Sequence, residues 1–193
     1  PLFHLIGAGW LKLNSIIGLP LDRSLEGLQT LTLIFSSLTL FVSYKIIDTF
    51  KIKDKYKFML IAFMAFYPTF IILSGSVNND CLLTLLEFSI IYYLINWYKN
   101  TSWYNTMILA IITGLCVMTK LNGAIMAIPI LYVFIKKFID VYKNDKKIGR
   151  IITKIIIFGL ISLPIGLWYQ VREYVLFGSN GVPVPGDFLY IDD

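Results

Sequence analysis

Two carboxylates lie at helical spacing in one apolar stretch of this chain. Asp80 is followed by Thr84 and Glu87, at i+4 and i+7, so the three side chains share one face of a helix. At 1.5 Å per residue, Glu87 lies about 10 Å further along the helix axis than Asp80. This face predicts an acidic lining of a cavity. The structural alternatives are that Asp80 caps the helix and that Glu87 is protonated or paired inside the bundle.

Three cationic residues are candidates for binding an anionic group. Lys120 lies between two short apolar runs, where its charge would suit a phosphate or would extend to lipid headgroups. Arg172 either holds a phosphate or pairs with Glu173. Arg23 is a weaker phosphate candidate, because Glu26 lies one helical turn away and is expected to pair with it.

The composition places these residues in a membrane protein. The 193 residues are 57% hydrophobic and 15% charged, and the mean hydropathy is +0.72, whereas soluble domains carry about 25% charged residues. A bilayer accommodates that much apolar surface. The net charge of +5 does not indicate nucleic acid, because the basic residues lie in short loops between apolar runs. We therefore expect the lipid bilayer as a partner and no nucleic acid.

The sequence does not predict a metal site built from histidine and cysteine. His4 is the single histidine, and Cys81 and Cys116 lie in apolar segments as expected of small buried residues. No Cys/His spacing typical of metal sites is present. The cofactor is therefore unknown, and a divalent metal ion is one candidate.

Charge-poor runs predict an all-α, polytopic membrane bundle of about six transmembrane helices. A span needs about 20 mainly apolar residues, and the fifth run reaches this length only if the lysines at its end snorkel. Pro68, Pro129 and Pro164 lie inside predicted spans and should kink them. The runs cover residues 27–44, 58–79, 81–98, 100–119, 121–135 and 155–171.

The chain divides into three parts within a single transmembrane domain. Residues 1–23 predict an interfacial helix at the outer face, with Trp10 at headgroup level. Residues 24–177 form the predicted helix bundle. Residues 178–193 are rich in glycine and proline, which predicts an outer loop.

The distribution of basic residues predicts the orientation in the membrane. If each run crosses once, thirteen of the seventeen Lys and Arg residues fall on one side. Short cytoplasmic loops carry an excess of Lys and Arg. We therefore predict a multi-pass protein of the plasma membrane with cytoplasmic lysine-rich loops, and with Asp80 and Lys120 on the extracytoplasmic side.

Four blocks of sequence, taken in order, carry a resemblance to a known family. They resemble bacterial members of the protein O-mannosyltransferase-like family, glycosyltransferase family 39, within the GT-C membrane glycosyltransferases. The resemblance covers most of the chain. The blocks are Pro1-Leu2-Phe3-His4, residues 65–75 with Asn79-Asp80, residues 114–123, and Trp168-Tyr169 with Arg172 and then residues 176–178.

This resemblance implies a GT-C-like fold and an enzyme that moves a sugar from a polyprenyl-phosphate-linked donor to a protein, lipid or glycan acceptor at the extracytoplasmic face. In the family, the main catalytic carboxylate precedes the block that begins at Pro1. We therefore expect an internal fragment that is inactive alone.

The resemblance also suggests roles for individual residues. Asp80 matches the family's second outer acidic position, an auxiliary catalytic role, with Glu87 on the same helix face. Lys120 matches the family's lysine after the third block and would hold the lipid-linked phosphate, with Arg172 or Arg23 beside it. His4 and Asn79 complete the predicted substrate-binding residues. Glu173 stands where the family would show asparagine after Arg172.

An ion- or proton-coupled transporter fragment is the alternative function, in which Asp80 and Glu87 line a cation path. A transporter is expected to show charges in several spans or paired broken helices. Only Glu87 lies well inside a predicted span, which favours the transferase. A structural membrane subunit is a third possibility, but it would leave the polar outer turns without a role.

Overall fold

The computed structural model describes residues 1–144 and 148–177, the side chains of Leu21, Asp22, Leu25, Asn144, Glu173, Leu176 and Phe177 excepted. Every regular element in these ranges is a helix, which confirms the predicted all-α fold. The elements are α1 (Leu2–Ile16), α2 (Leu21–Asp48), α3 (Asp54–Ala65), α4 (Pro68–Gly75), α5 (Asp80–Lys99), α6 (Trp103–Thr119), a 3₁₀ helix (Leu121–Met126), α7 (Ala127–Asn144) and α8 (Ile148–Phe177).

The described helices form a membrane-type bundle with fewer clear spans than predicted. By length and composition, three helical segments could each cross a membrane: Glu26–Asp48 in α2, Asp80–Lys99 as α5, and Ile148–Arg172 in α8. The bent pair α3–α4 makes a fourth if it counts as one span, and α6 is a shorter apolar helix. A helical membrane bundle is therefore confirmed, whereas the count of six is not.

Pro68 bends the second predicted span. Helices α3 and α4 meet at 59° across a short break, and Pro68 is the first residue of α4. Proline suits this position because the first N–H groups of a helix have no partner inside it. The kink predicted at Pro68 is therefore present. Residues 76–79 lie beyond α4 and form the turn into α5.

The fifth predicted span is not one continuous helix. Residues 121–126 form the 3₁₀ helix, and α7 begins only at Ala127 and continues to Asn144, past the predicted end at residue 135. Pro129 consequently lies in the first turn of α7, where proline is tolerated, and not inside a span. The predicted outer loop at 178–193 lies outside the described residues.

Helix α2 presents a stripe of small buried hydroxyl residues to α5, which the sequence reasoning missed. Thr32, Ser36, Thr39 and Ser43 are all buried. The last three donate to the carbonyl four residues earlier at 2.7–3.0 Å, which satisfies their hydroxyls inside an apolar bundle. The Oγ of Ser36 also lies 3.7 Å from the Sγ of Cys81. Small residues let membrane helices approach closely.

Helix α1 packs against the start of α2. The indole N–H of Trp10 donates to the carbonyl of Gly27 at 2.9 Å, and Asn14 is buried. Residues 2–16 therefore form a helix, as predicted, with Trp10 bonded to α2. The position of this helix in the membrane interface stays a prediction.

Glycines bring α6 and α8 into close parallel contact. A Cβ at Gly114 would lie 2.7 Å from the Cβ of Ile165 and 3.0 Å from the carbonyl oxygen of Ser162. A Cβ at Gly166 would lie 3.1 Å from the Cβ of Val117. Helix α6 therefore packs against α8 on one part of its surface and against α5 on another.

Gly114→Ala is expected to destabilise the protein, because neither the branched carbon of Ile165 nor the backbone of Ser162 can easily move. Overpacking of this kind typically costs about 1–3 kcal/mol. Thermal unfolding in detergent would measure the loss. The control is Gly149→Ala on α8, where an added Cβ meets nothing within 4 Å. Equal stability of the two variants would contradict this helix contact.

The two ends of the bundle differ in character. The lysine end is formed by the ends of α2, α5 and α7 and the starts of α3, α6 and α8. There, Lys57 pairs with Asp48 at 2.6 Å, and Lys137 donates to the carbonyl of Tyr98 at 2.8 Å. Lysines at this end thus bond to neighbouring elements. We call the opposite end, with the α4–α5 turn and the junction of α6 with the 3₁₀ helix, the Asp80 end.

Candidate functional site

Two residues singled out by the sequence meet at the Asp80 end. The Nζ of Lys120 donates to the Oδ1 of Asp80 at 2.7 Å. The side chains are 36% exposed for Lys120 and 39% for Asp80, so an external ligand can reach both. A solvent-exposed ion pair stabilises a protein by only about 0.2–1 kcal/mol. Another charged group can therefore replace either partner at small cost.

Asn78 caps helix α5 and leaves the Asp80 carboxylate available. The Oδ1 of Asn78 accepts from the backbone N–H of Asp80 at 2.9 Å and of Cys81 at 3.1 Å. Its Nδ2 donates to the carbonyl of Leu73 at 3.2 Å, which ties α4 to α5. The alternative that Asp80 is the helix cap is therefore wrong. Asn78 was not identified as a capping residue from the sequence.

A tight turn holds the backbone of Lys120. This residue is extended (φ −155°, ψ 136°) between α6 and the 3₁₀ helix. Its N–H donates to the carbonyl of Cys116 at 3.3 Å, and the N–H of Gly123 donates to the Lys120 carbonyl at 2.9 Å. The 3₁₀ helix lies directly against α6 at Gly123. A Cβ added there would be only 2.7 Å from the Sγ of Cys116, so only glycine fits without a shift.

Glu87 lies deeper on the same face of α5. The hydroxyl of Thr84, between the two acids, donates to the carbonyl of Asp80 at 2.8 Å and so is used within the helix. Glu87 is partly buried, and Asp80 on the same face bonds to Lys120 at the end of α6. The face that carries Asp80 and Glu87 therefore points towards α6.

An apolar groove of about 370 Å³ lies between α6, the 3₁₀ helix, α7 and α8, within the usual size range of ligand pockets. Leu131 and Leu163 in its wall are exposed, so the groove opens to the bundle surface. Among the described residues, no acidic side chain lines it, so the predicted acidic lining is not a feature of this part of the groove. Its lining includes Val117, Leu121, Ile130, Phe134, Phe158 and Gly166.

Consecutive residues connect the groove with the ion pair. Leu121 lines the groove, while Lys120 beside it binds Asp80. The 3₁₀ helix that follows contributes Gly123 to the same wall. The chain therefore passes from the ion pair to the groove wall within one residue, an arrangement suited to a molecule with an anionic head and an apolar tail.

Gln170 is a polar residue near this end of the groove that the sequence reasoning left without a role. It lies one helical turn beyond Gly166, which lines the groove, so the two residues are on the same face of α8. In the described part of the chain, its Oε1 is a buried side-chain oxygen that accepts no hydrogen bond. Buried acceptors of this kind usually have a partner.

Two other predicted site residues, Arg23 and His4, form no hydrogen bond or salt bridge with the ion pair in the described part of the chain. Arg23 and Glu26 are both exposed and form no salt bridge in the described ranges, so their predicted pairing is wrong. His4 is exposed, and its ring stands edge-on to that of Phe3, with 6.0 Å between centroids. The described hydrogen bonds and salt bridges do not join Arg23 or His4 to Asp80.

The remaining two candidates occupy helix ends. The carbonyl of Asn79 accepts from the N–H of Leu83 at 3.0 Å, and its side chain makes no capping bond to α5. Arg172 is exposed near the end of α8. Its predicted partner Glu173 is among the side chains outside the description. Within the described residues, no three His, Cys, Asp or Glu side chains are grouped so as to hold a metal ion.

Comparison with protein families identifies the class of this protein. The family described as dolichyl-phosphate-mannose-protein mannosyltransferase matches residues 17–169. The chain belongs to this family. The predicted resemblance is therefore confirmed, and the protein is a membrane glycosyltransferase of the GT-C type and an integral membrane protein.

The matched range of this mannosyltransferase-family chain includes the ion pair. Asp80, Glu87 and Lys120 fall within residues 17–169, whereas His4 and Arg172 fall outside. The comparison with curated proteins gives no match, and neither does the comparison with solved structures.

Proposed function

We propose that this protein transfers mannose from a polyprenyl-phosphate-linked donor to a protein acceptor at the extracytoplasmic face of the plasma membrane. The family supports the class of donor and acceptor. The observation that carries the proposal is the succession of Lys120, bonded to Asp80, and Leu121, in the wall of the apolar groove. A polyprenyl-phosphate sugar has the matching shape, because a charged phosphate joins its long apolar tail.

The groove would orient the donor, and Lys120 would position its phosphate. Lipid tails are as apolar as the groove wall, so the prenyl chain gains little hydrophobic free energy on leaving the bilayer for the groove. Packing and the phosphate contact must therefore account for most of the selectivity. An ammonium group is a compact point charge with three donors, which suits phosphate oxygens.

Transfer requires a charge to be stabilised and a proton to be removed. As the bond between the sugar and the phosphate oxygen breaks, the leaving polyprenyl phosphate gains a negative charge. Lys120 would stabilise that charge, with Arg172 or Arg23 as a second cation. The acceptor hydroxyl forms the new bond and passes its proton to a carboxylate general base.

The acidic residues of this chain would support that base. By the resemblance, the principal base is a carboxylate other than Asp80. Asp80 would orient the acceptor hydroxyl, and Asn79 and His4 are further candidates for contacts to substrate. Glu87, deeper on the same helix face, would set the electrostatic potential beneath the site.

A transfer assay tests the proposal directly. The full-length protein, reconstituted in lipid nanodiscs with membrane-protein acceptors, is given polyprenyl-phosphate mannose with radiolabelled mannose. We expect label to move from the organic-soluble lipid to the protein fraction, and heat-inactivated protein serves as the control. Absence of transfer from any polyprenyl-phosphate sugar, together with ion flux in proteoliposomes, would instead support the transporter.

The orientation makes a separate prediction. Val77 lies exposed in the α4–α5 turn, and Lys53 lies exposed before α3. Val77→Cys should react with an impermeant thiol reagent added outside intact cells, whereas Lys53→Cys should react only after permeabilisation. The parent protein is the control, because Cys81 and Cys116 are buried. The reverse labelling pattern would place the site on the cytoplasmic face.

A further inference from the structure

While Lys120 is paired with Asp80, its positive charge is not fully available to a donor phosphate. The two charged atoms are 2.7 Å apart, and a phosphate arriving at Lys120 would bring a second negative charge beside the Asp80 carboxylate. Two negative groups beside the same ammonium group repel each other. Binding of the donor therefore favours movement of the Asp80 carboxylate away from Lys120.

The local structure allows this carboxylate to move without loss of the helix. The N–H groups at the start of α5 are satisfied by the side chain of Asn78, not by Asp80. In the described part of the chain, the Asp80 carboxylate forms a salt bridge with Lys120 and with no other residue. Rotation of the side chain would break that contact and leave the cap intact.

We infer that the Asp80–Lys120 ion pair is a charge-exchange switch, in which one anionic partner of Lys120 replaces another and so orders substrate binding. This inference rests on the proposed function. Donor phosphate takes Lys120, and the released Asp80 carboxylate then accepts a hydrogen bond from the acceptor hydroxyl. Before the donor arrives, the Oδ1 of Asp80 is bonded to Lys120, so the carboxylate is a weaker hydrogen-bond acceptor for the acceptor hydroxyl. The donor is therefore favoured to bind first, and no covalent step is involved in the exchange.

The sign of one mutational effect distinguishes this switch from a supporting role of Asp80. If Asp80 competes with the donor for Lys120, then Asp80→Asn removes the competitor and donor binding becomes tighter. From the strength of exposed ion pairs, the expected change in donor Kd is about 1.4- to 5-fold. If Asp80 instead holds Lys120 in position for the donor, the same substitution weakens donor binding.

The experiment measures binding of polyprenyl phosphate to the full-length protein in nanodiscs, for wild type, Asp80→Asn, Lys120→Gln and the double variant. We expect tighter binding for Asp80→Asn and weaker binding for Lys120→Gln. Adding Asp80→Asn to Lys120→Gln should tighten binding less than it does in the wild type, because there is no longer a cation for which Asp80 and the phosphate compete. Thermal unfolding of each variant checks the fold.

The outcomes separate the switch from the proposed function. Unchanged binding in Lys120→Gln would remove the donor site from Lys120. Weaker binding in Lys120→Gln together with weaker or unchanged binding in Asp80→Asn would overturn the switch and leave the donor site in place. Asp80→Asn should also slow transfer despite its tighter donor binding, because the acceptor loses its carboxylate.

Discussion

Replacing Lys120 with glutamine is expected to lower kcat/KM for the lipid-linked donor by about 10²–10³-fold, the usual effect of removing one group that stabilises developing charge. Glutamine keeps most of the side-chain length and some hydrogen-bonding capacity but carries no charge. The ion pair that is lost is exposed and worth little to folding. The fall in activity should therefore come with nearly unchanged stability.

The matched control for this substitution is Lys12→Gln. Lys12 is an exposed lysine on α1 and has no described contact with Asp80. It should keep full transfer activity, measured with radiolabelled donor at several donor concentrations. Lys120→Arg should retain part of the activity, because its charge is kept while its geometry changes. Equal activity of the two glutamine variants would mean that Lys120 does not contact the donor.

Charge pattern and hydropathy were sufficient to predict the class of fold. The apolar runs predicted α2 and α5 because a bilayer allows few charges in a spanning helix. The same signal failed for residues 121–135, where it gave one short span. Hydropathy does not report that Gly123 folds the chain back against Cys116 as a 3₁₀ helix.

The candidate site was predicted residue by residue, but its pairing was not. Asp80 and Lys120 stood out separately, one as an acid at a helix start and the other as an isolated cation. Their contact at 2.7 Å depends on which residues of α5 lie beside the end of α6, and a single sequence does not show this. The predicted pair of Arg23 and Glu26 failed for the opposite reason: helical spacing permits such a pair but does not require it.

The residue that caps α5 was not identified correctly, because several residues of the preceding turn are suited to cap a helix. Asn78, Asn79 and Asp80 are all good capping types, and spacing alone does not choose among them. Tertiary structure decides, since Asn78 also bonds to the end of α4 through the Leu73 carbonyl. The freedom of the Asp80 carboxylate, on which the proposed site depends, is thus a consequence of packing between α4 and α5.

The position of Lys120 depends on Gly123, and Gly123→Ala should therefore impair both stability and donor binding. The added Cβ would lie 2.7 Å from the Sγ of Cys116 and 2.8 Å from its carbonyl oxygen, so the 3₁₀ helix must move away from α6. Overpacking costs about 1–3 kcal/mol. The same movement would shift Lys120, because its carbonyl accepts from the N–H of Gly123 at 2.9 Å.

Two comparisons show whether that loss arises from this contact. Gly9→Ala on α1 adds a Cβ that meets nothing within 4 Å, so it should leave the unfolding temperature and the donor Kd unchanged. Adding Cys116→Ala to Gly123→Ala removes the sulfur but not the backbone carbonyl, so recovery should be only partial. Full recovery would identify the thiol as the sole obstacle. A Gly123→Ala variant with normal stability and donor binding would show that the turn does not hold Lys120 in place.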